Sequence, residues 1–300
     1  MPNLVDHWID AMRAERFEDA WTLSERALAQ HDPATRDDPS QPYHLRWVWD
    51  RRPFDGRHVL VRCYHGLGDT IQFARFLPAL APRVASLTVE VQPRLLPLLR
   101  SLCRTAKLVP FDPDRPLPPS ECDMEITELA FALRERPDTV PPPYLHAPAS
   151  TLPEGTIGIC HEAGHWDDSR SIQPELFRGI CEARNCLTLV AQPSPLPVLN
   201  PEGCPFDLEV TAWLVSSCAL VITVDTMIAH LAGALGRPAW LLLKAEPDWR
   251  WTPGAKDSPW YPQMRIYFQP RSGDWEGVMR EVERDLTLFG SADVPEAADA

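Results

Sequence analysis

Apolar residues near the start of the chain recur at helical spacing. Between residues 4 and 30 they form two periodic runs, separated by the stretch 16–21. This pattern predicts two amphipathic helices joined by a turn, because residues three or four apart share one helical face. Residues 31–44 are rich in Asp, Pro and Ser, which indicates a linker.

From residue 57 onward, short apolar runs alternate with amphipathic stretches. The runs 58–63, 87–91 and 107–109 have the composition of buried strands. Helices are predicted up to Leu80 after the first run and from Leu95 to Leu102 after the second. Such alternation is typical of parallel β–α units.

A Pro-rich tract at 137–148 interrupts this alternation, which then resumes. Strands are predicted at 156–160, 187–190, 219–224 and 239–243, and helices at 175–182, 227–235 and 275–286, the last packing back across the linker. The pattern predicts a helical hairpin and linker (1–44), two doubly wound domains (45–148 and 149–290) and a disordered tail (291–300). Such domains bind ligands at the carboxyl ends of their strands, so a cleft is expected between them.

Composition narrows the class of protein. The 300 residues carry a net charge of -13, which disfavours a nucleic-acid-binding role, since that needs clustered Lys and Arg. The eight cysteines form no Cys-x-x-Cys pair, and buried reduced thiols are expected. No secretory signal and no apolar run long enough for a membrane helix is found, so we expect a cytoplasmic protein without an integral membrane segment.

The segment 65–78 carries the first chemical motif. Gly66 and Gly68 permit a sharp turn, and Asp69 stands at the start of the following helix. Asp69 fits equally an N-terminal cap and a general base that takes a proton from an acceptor hydroxyl. No third glycine completes a dinucleotide fingerprint, which argues against a nicotinamide-dependent dehydrogenase.

A second motif follows the apolar strand 219–224. Asp225 and Thr226 stand where a helix begins, and helix amides at such a position bind phosphates. His230 lies one turn after Thr226 on the same face, which favours a ligand contact over a purely structural histidine.

Two further segments offer binding groups. In the loop 164–172, Arg170 is suited to hold a phosphate with its planar fork, and Ser171 to donate a second hydrogen bond; a metal site built from the loop's Asp and His residues is disfavoured. The aromatic segment 247–262 contains Trp249 and Trp251, which suit either a base or sugar pocket or a clasp that pins a long loop.

Taken in order, these motifs resemble the bacterial heptosyltransferase family, glycosyltransferase family 9. The likeness is greatest to the heptosyltransferase-like domain that follows tetratricopeptide repeats, and the N-terminal hairpin itself looks like one degenerate repeat unit. It lies in residues 66–78, 170–172, 224–238, 247–262 and 273–275, within roughly residues 50 to 288. The resemblance implies a GT-B architecture of two Rossmann-like domains with a cleft between them.

The resemblance also implies an activity. It is an inverting, metal-independent sugar transfer, of a heptose for example, from a nucleotide-diphospho-sugar donor to a glycan, lipid or protein acceptor. Asp69 would be the catalytic base, with no cofactor. The expected donor-binding residues are Gly68, Arg170, Ser171, Asp225, Thr226, Met227 and His230, and those of a nucleotide or sugar pocket are His65, Trp249 and Trp251.

Two departures from the resembling domains keep an alternative open. The middle loop begins with residues 161–165 in place of a Trp-x-Gly-like turn, and the segment 190–207 suggests a trimmed helix–strand excursion. The alternative is a catalytically silent sugar-nucleotide-binding or scaffold protein, against which the retained Asp69 counts. A sugar-nucleotide epimerase would need further cleft carboxylates and histidines, which the sequence does not place.

Overall fold

The structure, a computed structural model, describes residues 3–164 and 167–289. The tail predicted at 291–300, and His165 and Trp166 of the middle loop, lie outside the described residues. The N-terminal half contains α1 (Leu4–Arg13), α2 (Phe17–Leu28), β1 (His58–Arg62), α3 (Leu67–Ala74), α4 (Leu77–Leu80), β2 (Ser86–Val91), α5 (Leu96–Leu99), β3 (Lys107–Pro110), β4 (Cys122–Glu125) and α6 (Leu129–Leu133). The C-terminal half contains β5 (Ile157–Cys160), α7 (Arg178–Ala183), β6 (Cys186–Thr188), α8 (Leu208–Ser217), β7 (Leu220–Val224), α9 (Met227–Ala234), β8 (Ala239–Leu243), β9 (Met264–Phe268) and α10 (Trp275–Leu288).

Each half is built on a parallel sheet. The strand orders are β3-β2-β1-β4 and β6-β5-β7-β8-β9, and Val61, for example, pairs with Val89 on one side and Met124 on the other. In both sheets the chain changes direction beside the first strand, and ligands of doubly wound sheets bind at the carboxyl ends there. The predicted fold class, two Rossmann-like doubly wound domains with a cleft between them, is confirmed.

The central strands of the C-terminal sheet are buried along their whole length. Every residue of β7 and β8 is buried, because helices cover both faces of a parallel sheet. The sequence pattern missed β4, whose Asp123 and Glu125 are polar yet buried, and it also missed β9. Buried polar groups of this kind need partners, and Glu125 accepts a hydrogen bond from the Tyr64 backbone amide at 3.2 Å.

Residues 190–207 form a loop without a helix or strand, as expected for a trimmed excursion, and α8, which the sequence pattern missed, connects β6 to β7. One expectation about the C-terminal half is wrong. The last helix packs on its own half and not across the linker. Its apolar face, including Val278 and Val282, packs into the hydrophobic cluster that contains Ile157 and Ile159. This face of the helix is therefore buried against the C-terminal sheet.

The N-terminal hairpin of α1 and α2 docks on both halves. Trp21 contacts Phe131 of the N-terminal half at a ring distance of 6.1 Å, and Trp8 meets Trp249 of the C-terminal half edge-on at 4.8 Å. Arg13 donates to the Pro247 carbonyl at 3.1 Å. The expectation that one helix pair must dock to bury its apolar face is therefore confirmed.

A buried arginine also ties the two halves together. Arg75, which follows α3, is fully buried and donates to the Trp260 carbonyl at 3.1 Å and to the Tyr144 hydroxyl at 3.3 Å. Tyr144 belongs to the Pro-rich tract 137–148, so Arg75 connects the N-terminal half to both the linker and the C-terminal half. None of the helices just described combines the length and apolar character needed to span a lipid bilayer.

Candidate active-site cleft

The cleft between the carboxyl ends of the two sheets has a volume of about 420 Å³. It is lined by α3 and the turn before it, by the loops after β5 and β8, and by the start of α9. Most of the residues expected from sequence meet here: Gly68, Asp69, Arg170, Asp225, Thr226, Met227 and His230.

Helices α3 and α9, one from each half, approach closely at Gly68. A Cβ atom built on Gly68 would lie 2.8 Å from Cδ2 of His230 and 3.5 Å from Cα of Met227. Only glycine lets the two helices come this near without displacing the imidazole. Gly68 thus permits the close approach of α3 and α9 beside the cleft.

We expect Gly68→Ala to destabilise the fold and widen the cleft. The added methyl must push the buried His230 ring aside, and overpacking of this kind costs about 1–3 kcal/mol. The free energy of unfolding from urea denaturation measures the effect. Gly179→Ala is the matched control: Gly179 is also helical, but its Cβ would meet its nearest neighbour, Glu283 Oε1, at an ordinary 3.6 Å. Equal stability of both variants would contradict a steric role for Gly68.

Asp69 fills the first of the two roles that the sequence left open, that of a helix cap. One carboxylate oxygen, Oδ2, accepts from the Gly66 amide at 3.0 Å and so caps α3. The other, Oδ1, forms an ion pair with Arg250 across the cleft. An ionised carboxylate has about four acceptor sites, so each oxygen retains a lone pair for a further donor.

Arg250 spans the cleft from the loop after β8. Its Nε donates to Gln72 Oε1 at 2.6 Å and its Nη1 to Asp248 Oδ1 at 2.8 Å, while Nη2 meets Asp69. Burial works against the charged guanidinium, but Asp69 and Asp248 outweigh that cost and raise its pKa. A fixed, fully charged arginine therefore faces the carboxylate that the motif singles out.

Two more cations line the cleft on the side of the C-terminal half. Arg170 Nη1 donates to the Asp225 carbonyl at 2.8 Å, which ties the middle loop to the end of β7. Lys244, directly after β8, places Nζ 2.7 Å from Asp167 Oδ2. With Arg250 they set three positive groups around the start of α9, where a helix favours anions.

His230 lines the cleft as a buried, neutral group. Burial lowers its pKa well below the usual range, with Arg250 and Arg75 acting in the same direction. Its Nδ1 shares a hydrogen bond with the Tyr261 hydroxyl at 3.1 Å, and Trp251 stacks on the ring at 5.9 Å. The imidazole can therefore donate or accept a hydrogen bond with a ligand, but it supplies no positive charge.

Asp225 is buried at the end of β7, and burial raises its pKa to about 6, with Asp248 adding to the effect. The neighbouring Arg250 and Arg170 partly offset this rise. Ionisation of this carboxyl near neutral pH therefore opposes folding. A costly carboxylate in a cleft is typical of a group kept for function.

We expect Asp225→Asn to stabilise the free protein at high pH. A carboxyl with a pKa raised from 3.8 to about 6 makes its full contribution to the free energy of unfolding below pH 3.8. That contribution falls by about 2–3 kcal/mol as the pH rises through 6. The variant should therefore match wild type near pH 4 and exceed it near pH 8, measured by urea unfolding at each pH. Asp138→Asn, at an exposed site, should follow the wild-type curve. Parallel curves for Asp225→Asn and wild type would contradict the shifted pKa.

Four predicted residues lie away from this cleft. The Ser171 hydroxyl accepts from the Ala163 amide at 3.0 Å and lines a separate surface depression, so it stabilises the middle loop. Trp251 is fully buried and packs on His230 rather than facing a ligand. His65 and Trp249 line a neighbouring pocket of about 780 Å³, which shares Asp69 with the cleft.

His65 is held at the border of that pocket. Its Nδ1 lies 3.0 Å from Glu125 Oε1, and Gln92 Nε2 donates to its carbonyl at 2.7 Å. Burial works against protonation, but the Glu125 carboxylate outweighs it and raises the pKa of the imidazole. His65 thus tends toward a positive charge beside Asp69.

Sequence analysis did not single out Lys244 or Arg250. Lys244 had a signal, since it directly follows an apolar parallel strand and strand ends carry function in such sheets. Arg250 stands among tryptophans, and the aromatic character of its segment hid a charge whose partner lies 181 residues earlier. Among residues 3–164 and 167–289, no group of three or more His, Cys, Asp or Glu side chains is arranged to hold a metal ion.

Comparison with known sequences finds one curated relative at low identity. No protein-family model matches the chain. Protein FlbA of Caulobacter vibrioides is 24% identical over 328 aligned residues, which cover 92% of this chain and 53% of that protein. The chain therefore spans about half the length of the curated relative that it matches.

Comparison with solved structures identifies the fold. Escherichia coli heptosyltransferase WaaC with ADP gives a TM-score of 0.54 at 13% identity, over 77% of this chain and 99% of that chain. A glycosyl transferase of family 9 from Veillonella parvula gives 0.52 at 13% identity, over 82% and 92%. The iron-containing dodecameric glycosyltransferase TibC from enterotoxigenic E. coli gives 0.52 at 12% identity, over 78% of each chain. The chain has the GT-B fold of the family 9 heptosyltransferases.

Proposed function

We propose that this protein is an inverting glycosyltransferase that uses a nucleotide-diphospho-sugar and transfers its sugar to a hydroxyl of an acceptor. One observation carries the proposal. Asp69 lines both the 420 Å³ cleft at the start of α9 and the neighbouring 780 Å³ pocket. A base shared by two adjoining pockets is placed to connect a donor in one with an acceptor in the other.

In the proposed reaction the acceptor O–H gives its proton to Asp69. The acceptor oxygen forms a bond to the anomeric carbon of the sugar, and the bond from that carbon to the diphosphate oxygen breaks. The electron pair of the broken bond leaves on the diphosphate. Attack from the face opposite the leaving group inverts the anomeric centre, which matches Asp69 and the start of α9 lying on different sides of the cleft.

The cations that line the cleft support a metal-independent reaction. The leaving diphosphate would meet the first turn of α9 together with Arg170, Lys244 and Arg250. Thr226 and His230 would contribute neutral hydrogen bonds, and Met227 would flank the nucleotide. We further propose a cytoplasmic location: all eight cysteines are buried and unpaired, as expected in a reducing compartment.

A thermal-shift panel of nucleotides and nucleotide sugars tests the proposal. ADP is the first probe, since a ligand that binds only the folded state raises the melting temperature by mass action. We expect ADP or another nucleoside diphosphate to raise Tm, and its sugar conjugate to raise Tm further. A panel in which no nucleoside diphosphate or nucleotide sugar shifts Tm would contradict the proposed donor site.

One observation favours a second candidate, a sugar-nucleotide-binding protein without catalysis. Both Asp69 oxygens accept hydrogen bonds, and Arg250 and Lys244 are each paired with a carboxylate. Such pairing suits a site that binds without turnover. A mass-spectrometric assay for nucleoside diphosphate released from the donor that shifts Tm decides between them: release supports the enzyme, and binding without release supports the silent protein.

A further inference from the structure

The 780 Å³ pocket is built in part by the N-terminal hairpin. Trp8, Met12 and Trp21 of α1 and α2 line one side, and Trp249 and Arg250 of the C-terminal half line another. Asp69 lies in the same lining, at the border with the donor cleft. A ligand in this pocket would therefore touch the hairpin and the proposed base at once.

The hairpin is fixed in this position by specific contacts. Arg13 donates to the Pro247 carbonyl at 3.1 Å, and Thr252 Oγ1 donates to the Arg13 carbonyl at 2.9 Å. Trp8 Nε1 donates to Ser24 Oγ at 3.1 Å, which orients the ring between α1 and α2. The wall formed by Trp8 and Trp249 is thus held in place before a ligand binds.

The lining chemistry selects an uncharged ligand with hydroxyl groups. The half-buried rings of Trp8 and Trp249 meet edge-on at 4.8 Å and form an aromatic corner. Flat apolar faces of a sugar ring pack on such indoles, while its hydroxyls reach polar groups such as Asp248, Thr127 and His44. Arg250 faces the carboxylates of Asp69 and Asp248, and His65 is paired with Glu125, so the lining has no spare positive charge, which disfavours a phosphorylated acceptor.

We propose that the N-terminal hairpin is part of the acceptor site, and that Trp8 with Trp249 binds a neutral sugar ring of a glycan acceptor next to Asp69. The proposal rests on the proposed function, because the pocket matters to transfer only if Asp69 serves a donor in the adjoining cleft. Trp8 is then a specificity-determining residue, although it lies about 60 positions before the nearest cleft motif.

Saturation-transfer NMR tests this assignment on the full chain with saturating ADP. The probes are methyl glycosides of glucose, mannose and N-acetylglucosamine, and lactose. We expect ring-proton saturation for at least one of them on wild type, and a loss of affinity of about tenfold or more in Trp8→Ala. Trp213→Ala is the matched control, a half-buried tryptophan of α8 outside the pocket lining, and should bind the sugar as wild type does.

Trp8→Phe guards against a folding defect in the alanine variant. It keeps an aromatic face and should restore most of the affinity, while thermal melting and the ADP-induced Tm shift stay at wild-type values. Binding of none of the sugars, equal binding by Trp8→Ala, or binding of a Ser/Thr-rich peptide in their place would overturn the glycan assignment. Failure of ADP to bind would instead contradict the proposed function, so the two failures are distinguishable.

Discussion

Asp69→Asn is expected to lower the rate of sugar transfer by about 10²–10⁴-fold, the contribution usual for a general base. The amide does not take up the acceptor proton at neutral pH. Affinity for the nucleoside diphosphate should stay within roughly twofold of wild type, because the base faces the acceptor rather than the phosphates. Single-turnover transfer and ADP titration measure the two quantities.

Asparagine is the sharper substitution at this site. Its carbonyl oxygen still accepts from the Gly66 amide, so the start of α3 keeps its cap. Asp69→Ala removes both the base and the cap, and should add about 1 kcal/mol of destabilisation that Asp69→Asn lacks. Agreement of the two variants in transfer rate, but not in stability, would separate catalysis from capping.

The control for Asp69 is another aspartate paired with an arginine. Asp55 meets Arg83 at 2.8 Å on the exposed surface of the N-terminal half. Asp55→Asn should leave transfer unchanged. Full transfer by Asp69→Asn would show that the base lies elsewhere, and loss of ADP affinity in that variant would place Asp69 on the donor side.

Arg250→Met is expected to impair both binding and catalysis. Removal of the guanidinium leaves Asp69 and Asp248 facing each other without their shared cation, which should cost about 2–3 kcal/mol of stability. Loss of one positive group at a leaving diphosphate typically lowers kcat by about 10²–10³-fold. We expect ADP affinity to fall by about tenfold, measured by calorimetry alongside urea unfolding and single-turnover rates.

Arg250→Lys separates charge from geometry. Lysine keeps the positive charge but does not reproduce the three-way contact with Gln72, Asp248 and Asp69. Compared with Arg250→Met, it should restore more of the ADP affinity than of the free energy of unfolding. Arg83→Met, which breaks an exposed pair with Asp55 and a contact with the Phe54 ring, should cost less stability than Arg250→Met and leave ADP affinity unchanged. Wild-type affinity in Arg250→Met would remove Arg250 from the donor site.

Much of the cleft wall formed by the C-terminal half was predictable from local sequence. The apolar strand 220–224 running into Asp225 and Thr226 indicates a strand end followed by a helix, and both features depend on neighbours in the chain. The same holds for β1 and the turn before Asp69. Parallel order then follows from the alternation of strands and helices, since short connections and crossover geometry leave few arrangements.

Elements with mixed polarity were not predictable in this way. The buried acids of β4 hide an edge strand, because their partners, such as the Tyr64 amide and Arg62, are distant in sequence. Ser171 and Trp251 look like ligand groups in the sequence, yet the structure gives them internal partners in Ala163 and His230. Residue type alone does not tell whether a polar or aromatic side chain faces a cleft or a neighbour.

The sequence by itself determined the two parallel sheets, the position of Asp69 at the start of a helix and that of Asp225 at the end of a strand, because hydrophobic period and turn residues act over a few neighbouring positions. Only the tertiary structure decided what faces those residues. The pairing of Asp69 with Arg250, the contact of Gly68 with His230 and the placement of Trp8 beside the pocket each join residues more than 150 positions apart or on separate elements. Such contacts depend on how the halves pack, and packing is a property of complementary surfaces that no local pattern records.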